Sequence, residues 1–146
     1  MVVYRISKAK YAKRLEASGR SNRWNRAGEF VVYASASRAL AILELLAHRN
    51  AIMPTVPYRM IEITLEEKWI TDISARLPKK WSQMGQMHRM QALGSVWYQQ
   101  SKSLVLRVPS ALVKAEHNYI INTMHPDFQK IKPIKTEPFS WDARLV

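Results

Sequence analysis

"RWNRAGEFVVYASASRALAILELLAH", residues 23–48, decides how this chain is read. It starts in a loop holding Arg23, Asn25, Arg26 and Gly28, passes into "FVVYAS" (30–35), and continues into a Leu- and Ala-rich stretch. The short β-branched run predicts a strand. Ser37 is suited to cap a helix over about 38–49, because its hydroxyl can accept from a free N–H of the first turn. Leu40, Leu43, Glu44 and Ala47 follow the i, i+3, i+4, i+7 spacing of one helical side. Ile42, Leu45 and Leu46 cover much of the rest, so the helix is expected to be buried nearly all round. One acid, Glu44, stands within it.

A carboxylate removed from water is costly unless it is paired and hydrogen-bonded. Three arrangements relieve that cost for Glu44. It can pair with a nearby Arg, sit on a side of the helix that reaches water, or point into a cleft from a rigid element.

Outward from this stretch, "VVYRI" (2–6) predicts a first strand and "SKAKYAKRLEASG" (7–19) a short helix or basic turn. "RSNRWNRAGE" (20–29) is a loop. Pro54 and Pro57 make "AIMPTVPY" (51–58) another, and "YRMIEITL" (58–65) alternates as a strand. Residues 78–101 predict one helix or two with irregular ends. "SLVLRVP" (103–109) is a strand closed by Pro109, and "HNYIINTMHPDF" (117–128) holds one more before a turn at His125-Pro126. The tail "KIKPIKTEPFSW" predicts an edge strand, where proline is tolerated. Strands and helices do not alternate regularly, so the expected fold is a single compact α+β domain over 1–146.

Composition bounds the chemistry. The chain has 146 residues, 47% of them hydrophobic, with five Trp, six Tyr and only four Gly. That suits one packed domain and argues against a repeat. No Cys is present, which excludes disulfides, thiolate zinc sites and a cysteine nucleophile. No segment reaches the roughly 18 apolar residues of a membrane helix, and a cytoplasmic location is expected. The net charge of +12 favours anionic partners, whether nucleic acid, nucleotide or acidic protein, or is merely a solvated basic surface.

Single residues are ambiguous. Arg23 offers a donor fork suited to phosphate, and Gly28 could let backbone approach a ligand, yet the same loop reads equally as solvated and basic. Tyr33 reads as packing with a wet hydroxyl, and Ser110 as an N-cap for "ALVKAEH". No G-x-S-x-G elbow is present. The four His, His48, His88, His117 and His125, lack zinc-site spacing. No RRM or KH motif supports RNA binding.

The combination is more specific. "RWNRAGEFVVYASASRALAILELLAH", "LRVPSALVKAEHNYIIN" and "HPDF", in that order, resemble the RES-domain family, the toxin half of RES–Xre toxin–antitoxin pairs. The resemblance covers most of residues 2–132. It departs in "SN" before Arg23, where many members have Gly-Gly, and in Arg26, where Pro is common.

The resemblance implies a fold similar to ADP-ribosyltransferases and NAD⁺ as substrate, degraded by hydrolysis or phosphorolysis, with no metal. By the same resemblance Glu44, Arg23, Tyr33 and Ser110 are the catalytic set. Glu44 would stabilise a ribosyl cation, Arg23 would anchor pyrophosphate or ribose, and Tyr33 would stack on nicotinamide or ribose. Ser110 would hydrogen-bond the nicotinamide-ribose end, with Asn118 and Asn122 lining the cleft. An Xre-like helix-turn-helix antitoxin would block that cleft and carry the DNA contact. Protein ADP-ribosylation at the same site, or a basic RNA-acting toxin, are the competing expectations.

Overall fold

The computed structural model describes residues 1–131 and 134–146. They form a seven-stranded sheet in the order β4-β5-β6-β2-β1-β3-β7. The strands are β1 (Val2–Lys8), β2 (Val31–Ser35), β3 (Tyr58–Thr64), β4 (Ile70–Asp72), β5 (Val105–Pro109), β6 (His117–Asn122) and β7 (Lys135–Phe139). All neighbours are antiparallel except β4 and β5. With two α-helices, α1 (Arg38–Leu46) and α2 (Met87–Gln100), this is an α+β domain.

Alternation along the strands divides the core in two. Val3, Val32, Ala34, Ile61, Ile63, Val105, Tyr119 and Ile121 pack on one face under loops and the Trp69 turn. On the other face α2 brings Met90 and Trp97 onto Leu106, Val108 and Ile120, while α1 brings Ala41 onto Ile6, Tyr58 and Met60. Both helices therefore lie on the same side of the sheet.

The sheet is continuous everywhere but at its middle. β1 is in register with β3 over seven residue pairs, and β2 with β6 over five. β1 and β2 share only Tyr4↔Ser35. The two strands part below that pair. By alternation Arg5 belongs to the face of Val3, and its guanidinium spans the gap, Nη1 donating to Tyr33 O at 2.9 Å. Backbone polar groups seldom go unpaired when buried, and here a side chain takes the place of a ladder partner.

Several elements differ from expectation. α1 is not buried all round: Leu40 and Ala41 are buried, but Leu43 is 40% exposed. Having the sheet on one side only, the helix turns its other sides to solvent and to the gap. Ser37 does cap it, accepting from Leu40 N–H at 3.1 Å. Within 78–101 only Met87–Gln100 is α-helical; the preceding residues form turns and a 3₁₀ turn at Met84–Gln86. The first strand runs on to Lys8, leaving a 3₁₀ turn at Ala9–Tyr11. β4 was not anticipated, being three residues long. The tail does form an edge strand against β3, with Pro138 opposite Arg59; of that predicted segment, residues 132 and 133 lie outside the described ones.

At the β4–β5–β6 end, Arg107 lies between Asp72 (3.7 Å) and His117 Nδ1 (3.3 Å). Burial, then the Arg107 charge, hold His117 below its ordinary pKa of 6.5. Burial alone would raise Asp72, but hydrogen bonds from Ser74 and the Arg107 charge bring it below its ordinary 3.8. Both folded pKa values are depressed, so the unfolded chain binds more protons as pH falls. Stability is fully present above about pH 6.5, declines from there through His117, and declines again below about pH 4 through Asp72. Urea-unfolding midpoints should drop between about pH 7 and pH 5, and His117→Gln should remove part of that drop; an identical drop in the variant would assign it elsewhere.

Candidate active site

The gap between β1 and β2 opens into a cleft of about 440 Å³. Its walls are Tyr4, Arg5 and Ile6 of β1, Tyr33 and Ser35 of β2, Glu44 and Leu45 of α1, and the 18–22 loop with Arg20 and Asn22. A second lobe of about 510 Å³ continues from it, sharing Arg5, Ile6, Ser18, Arg20, Leu45 and Ala51 and ending at Lys8, Tyr11 and Tyr58. Each lobe falls within the roughly 300–1,000 Å³ usual for small-molecule sites.

Glu44 is partly buried on the cleft side of α1. Its Oε1 accepts two hydrogen bonds, from Ser110 Oγ and from Asn118 Nδ2, each 2.7 Å. Among the described residues Oε2 accepts none. Ser35 Oγ donates to Asn118 Oδ1 at 2.8 Å, which orients the amide so that its N–H side faces the carboxylate. The line Ser35–Asn118–Glu44–Ser110 thus joins the ends of β2 and β6, α1 and the turn after β5. Of the three arrangements open to Glu44, the structure adopts the cleft, and it satisfies the carboxylate with neutral donors rather than an Arg.

Ser110 has no exposed surface and does not line the cleft. No helix follows it; instead its Oγ accepts from Leu112 N–H and Val113 N–H, both at 3.1 Å, to cap a turn. With its proton given to Glu44, Ser110 holds the carboxylate from behind rather than meeting a ligand directly.

Tyr33 lines the cleft while its hydroxyl serves the neighbouring loop. It accepts from Trp24 N–H at 3.2 Å and donates to Asn25 Oδ1 at 2.5 Å. Burial foremost, with the Glu29 carboxylate adding to it, pushes the phenol well above its ordinary pKa, so it stays neutral.

Arg23 lies beside the cleft-lining Asn22 but outside the cleft wall. Its guanidinium is 5.9 Å from the Trp81 ring centroid, and Nη1 donates to Ser82 O at 3.3 Å. Asn122 is at the far end of β6 from Asn118. It is buried, donating to Tyr98 O and accepting from Met124 N–H, so it braces a turn and does not line the cleft. Gly28 has a positive φ of 85° with open space around it. Its use is the left-handed turn, not a close ligand approach.

The cations that do line the cleft, Arg5 and Arg20, were not singled out in the sequence. Arg5 reads there as one residue of an alternating strand, and only the parting of β1 from β2 turns it inward. Burial lowers its pKa, though an arginine remains charged at neutral pH.

A carboxylate with one oxygen held and, among the described residues, the other unbonded, in a cleft also lined by two arginines, suits a ligand with a cationic or electron-deficient end and an anionic middle. Residues 2–142 match the RES domain family, and the chain belongs to it. It is 34% identical over 153 residues to Toxin Res of Photorhabdus laumondii, an alignment covering 100% of this chain and 97% of that protein. It is 36% identical over 152 residues to Toxin Res of Pseudomonas putida, covering 99% of both. A Sphingobium protein named Prs ADP-ribosylating toxin is 33% identical over 128 residues, covering 85% of this chain and 80% of that protein.

Proposed function

We propose that this protein is a toxin that consumes NAD⁺ by breaking the bond between nicotinamide and its ribose. The observation that carries the reading is Glu44, a cleft-lining residue fixed through Oε1 by Ser110 and Asn118 and, among the described residues, unbonded at Oε2. The relatives named Toxin Res and Prs ADP-ribosylating toxin support it, as does the family's resemblance to ADP-ribosyltransferases.

In this reading the C1′–N bond breaks and its electron pair leaves with nicotinamide, which departs neutral. The ribose is left oxocarbenium-like, the kind of transition state that carboxylates stabilise in glycosidases. Glu44 Oε2 faces that charge or the adjacent ribose hydroxyl, in a site prepared before substrate arrives. Arg5 and Arg20 face the diphosphate, and the Tyr33 ring packs against the nicotinamide-ribose end. Arg23 would leave Trp81 and Ser82 to reach a phosphate. The acceptor completes the balance: water yields ADP-ribose and a proton, inorganic phosphate yields the ribosyl phosphate, and a protein side chain yields an ADP-ribosylated protein.

Transfer to protein is the second reading, favoured by the name of the Sphingobium relative. A cognate helix-turn-helix antitoxin would keep the activity in check in the cytoplasm, and a net charge of +12 would assist docking of an acidic segment at the cleft.

Nicotinamide release by purified protein, with and without phosphate and with tagged NAD⁺ to detect label on protein, tests these alternatives together. Release by folded, antitoxin-free protein is expected; none in any arm, and no label, would reject the reading. Ser110→Ala should lower the rate by about tenfold, because Glu44 keeps only Asn118 and its rotamer loosens, at roughly one hydrogen bond's worth. Ser110→Thr, which retains the hydroxyl, should recover more of the rate than Ala.

A further inference from the structure

We propose that the second lobe seats the adenosine end of the dinucleotide and accepts a 2′-phosphate there, so that NADP⁺ is a substrate at least as good as NAD⁺. The proposal rests on the reading of Glu44 as the nicotinamide-ribose group. With that end fixed, a dinucleotide can extend only where the cleft continues, past Arg5 and Arg20 into the lobe that ends at Lys8, Tyr11 and Tyr58.

Charge counting carries the rest. Among the described residues three cations line the two lobes: Arg5, Arg20 and Lys8. The diphosphate of NAD⁺ bears two negative charges and lies nearest the two arginines shared by both lobes. Lys8 is left over. Among the described residues its ammonium meets only the Met53 thioether, Nζ to Sδ 3.1 Å, and sulfur of this kind is a weak acceptor with no charge to offer. The one carboxylate lining this lobe, Glu16, is already paired with Arg14 at 2.9 Å. A site built to refuse a 2′-phosphate would present an unpaired acid to the adenosine ribose, since like charge deters the wrong ligand. Among the described residues this lobe presents an ammonium that no carboxylate contacts, its lining acid Glu16 being engaged by Arg14. At the same end Tyr11, about half exposed, offers a ring face of the kind a purine stacks on, while the buried Tyr58 closes the lobe.

Two measurements on the purified full chain test this. Initial rates of nicotinamide release from NADP⁺ and NAD⁺ should give a kcat/KM ratio of one or more. Lys8→Gln should lower that ratio about tenfold, the effect of one charge-assisted hydrogen bond. Lys102→Gln, an exposed cation after α2 that lines neither lobe, should leave the ratio where it was. Poor use of NADP⁺ beside good use of NAD⁺, or a ratio indifferent to Lys8, would overturn the proposal while leaving the NAD⁺ reading standing.

The second measurement needs no turnover. Adenosine 2′,5′-bisphosphate should bind more tightly than adenosine 5′-monophosphate by calorimetry, and Lys8→Gln should abolish the difference. Equal binding of the two by wild-type protein would reject the 2′-phosphate subsite even if no dinucleotide were consumed.

Discussion

Glu44→Gln is expected to slow NAD⁺ consumption by a few hundredfold or more with little change in thermal stability. Glutamine has the same shape, and its amide oxygen can still accept from Ser110 Oγ and Asn118 Nδ2, which today share Oε1 at 2.7 Å each. What disappears is the charge on the other side of the group. Removing one preorganised electrostatic partner of a transition state costs roughly 3–4 kcal/mol of barrier, which is the stated rate loss. The paired readouts are nicotinamide release and the unfolding midpoint. Growth inhibition on expression should fall in parallel. A variant that stayed folded and kept full toxicity would return Glu44 to a structural role and direct attention to the basic surface and RNA.

The second large effect is on stability. Gly94 lies in the interior of α2, where replacing Gly by Ala ordinarily favours the helix by up to about 1 kcal/mol. Here the opposite sign is expected. A Cβ at Gly94 would fall on the Trp24 backbone carbonyl, and backbone cannot swing aside as a side-chain end can. Overpacking of this kind costs about 3 kcal/mol, enough to lower Tm by roughly 10 °C in a domain of this size. The displacement would also reach the site, because Trp24 N–H donates to the Tyr33 hydroxyl and Gln91 Nε2 donates to Asn22 O. Gly94→Ala should therefore lose both stability and rate. A gain in Tm would show that the loop and helix can separate without loss.

The same contact explains why Glu29, unremarked in the sequence, is buried. Its Oε1 accepts from Arg26 N–H and its Oε2 from Ser95 Oγ, one residue after Gly94. A buried carboxylate with two good donors is tolerable where an unpaired one is not. The 22–29 loop is thus clamped to α2 through Gly94, Ser95 and Gln91, and this clamp gives the Arg23 segment its shape. Asn122, expected from the family resemblance to line the cleft with Asn118, is four positions further along β6, which carries it about 13 Å away at strand rise.

Strand and helix content, the Ser37 cap, the edge strand with its proline and the α+β class were legible in residues 1–146 alone, because period and capping chemistry are local. So was the attention drawn to Glu44, since one acid in a Leu/Ala helix is conspicuous in any context. The resemblance to RES-domain proteins likewise needs only short segments in order.

What contacts Glu44 was not legible. Ser110 and Asn118 are 66 and 74 residues away, and no spacing rule relates an α1 side chain to the ends of β5 and β6. The cleft itself is a property of the sheet. It exists because β1 and β2 keep one pairing and then part, and a parting of strands has no signature in either strand's own sequence. Arg5 becomes a cleft residue only through that parting, and Arg20 and Lys8 join it from a loop and a strand end brought beside it. Local periodicity determined the elements; the long-range registers of one sheet decided which of their side chains meet.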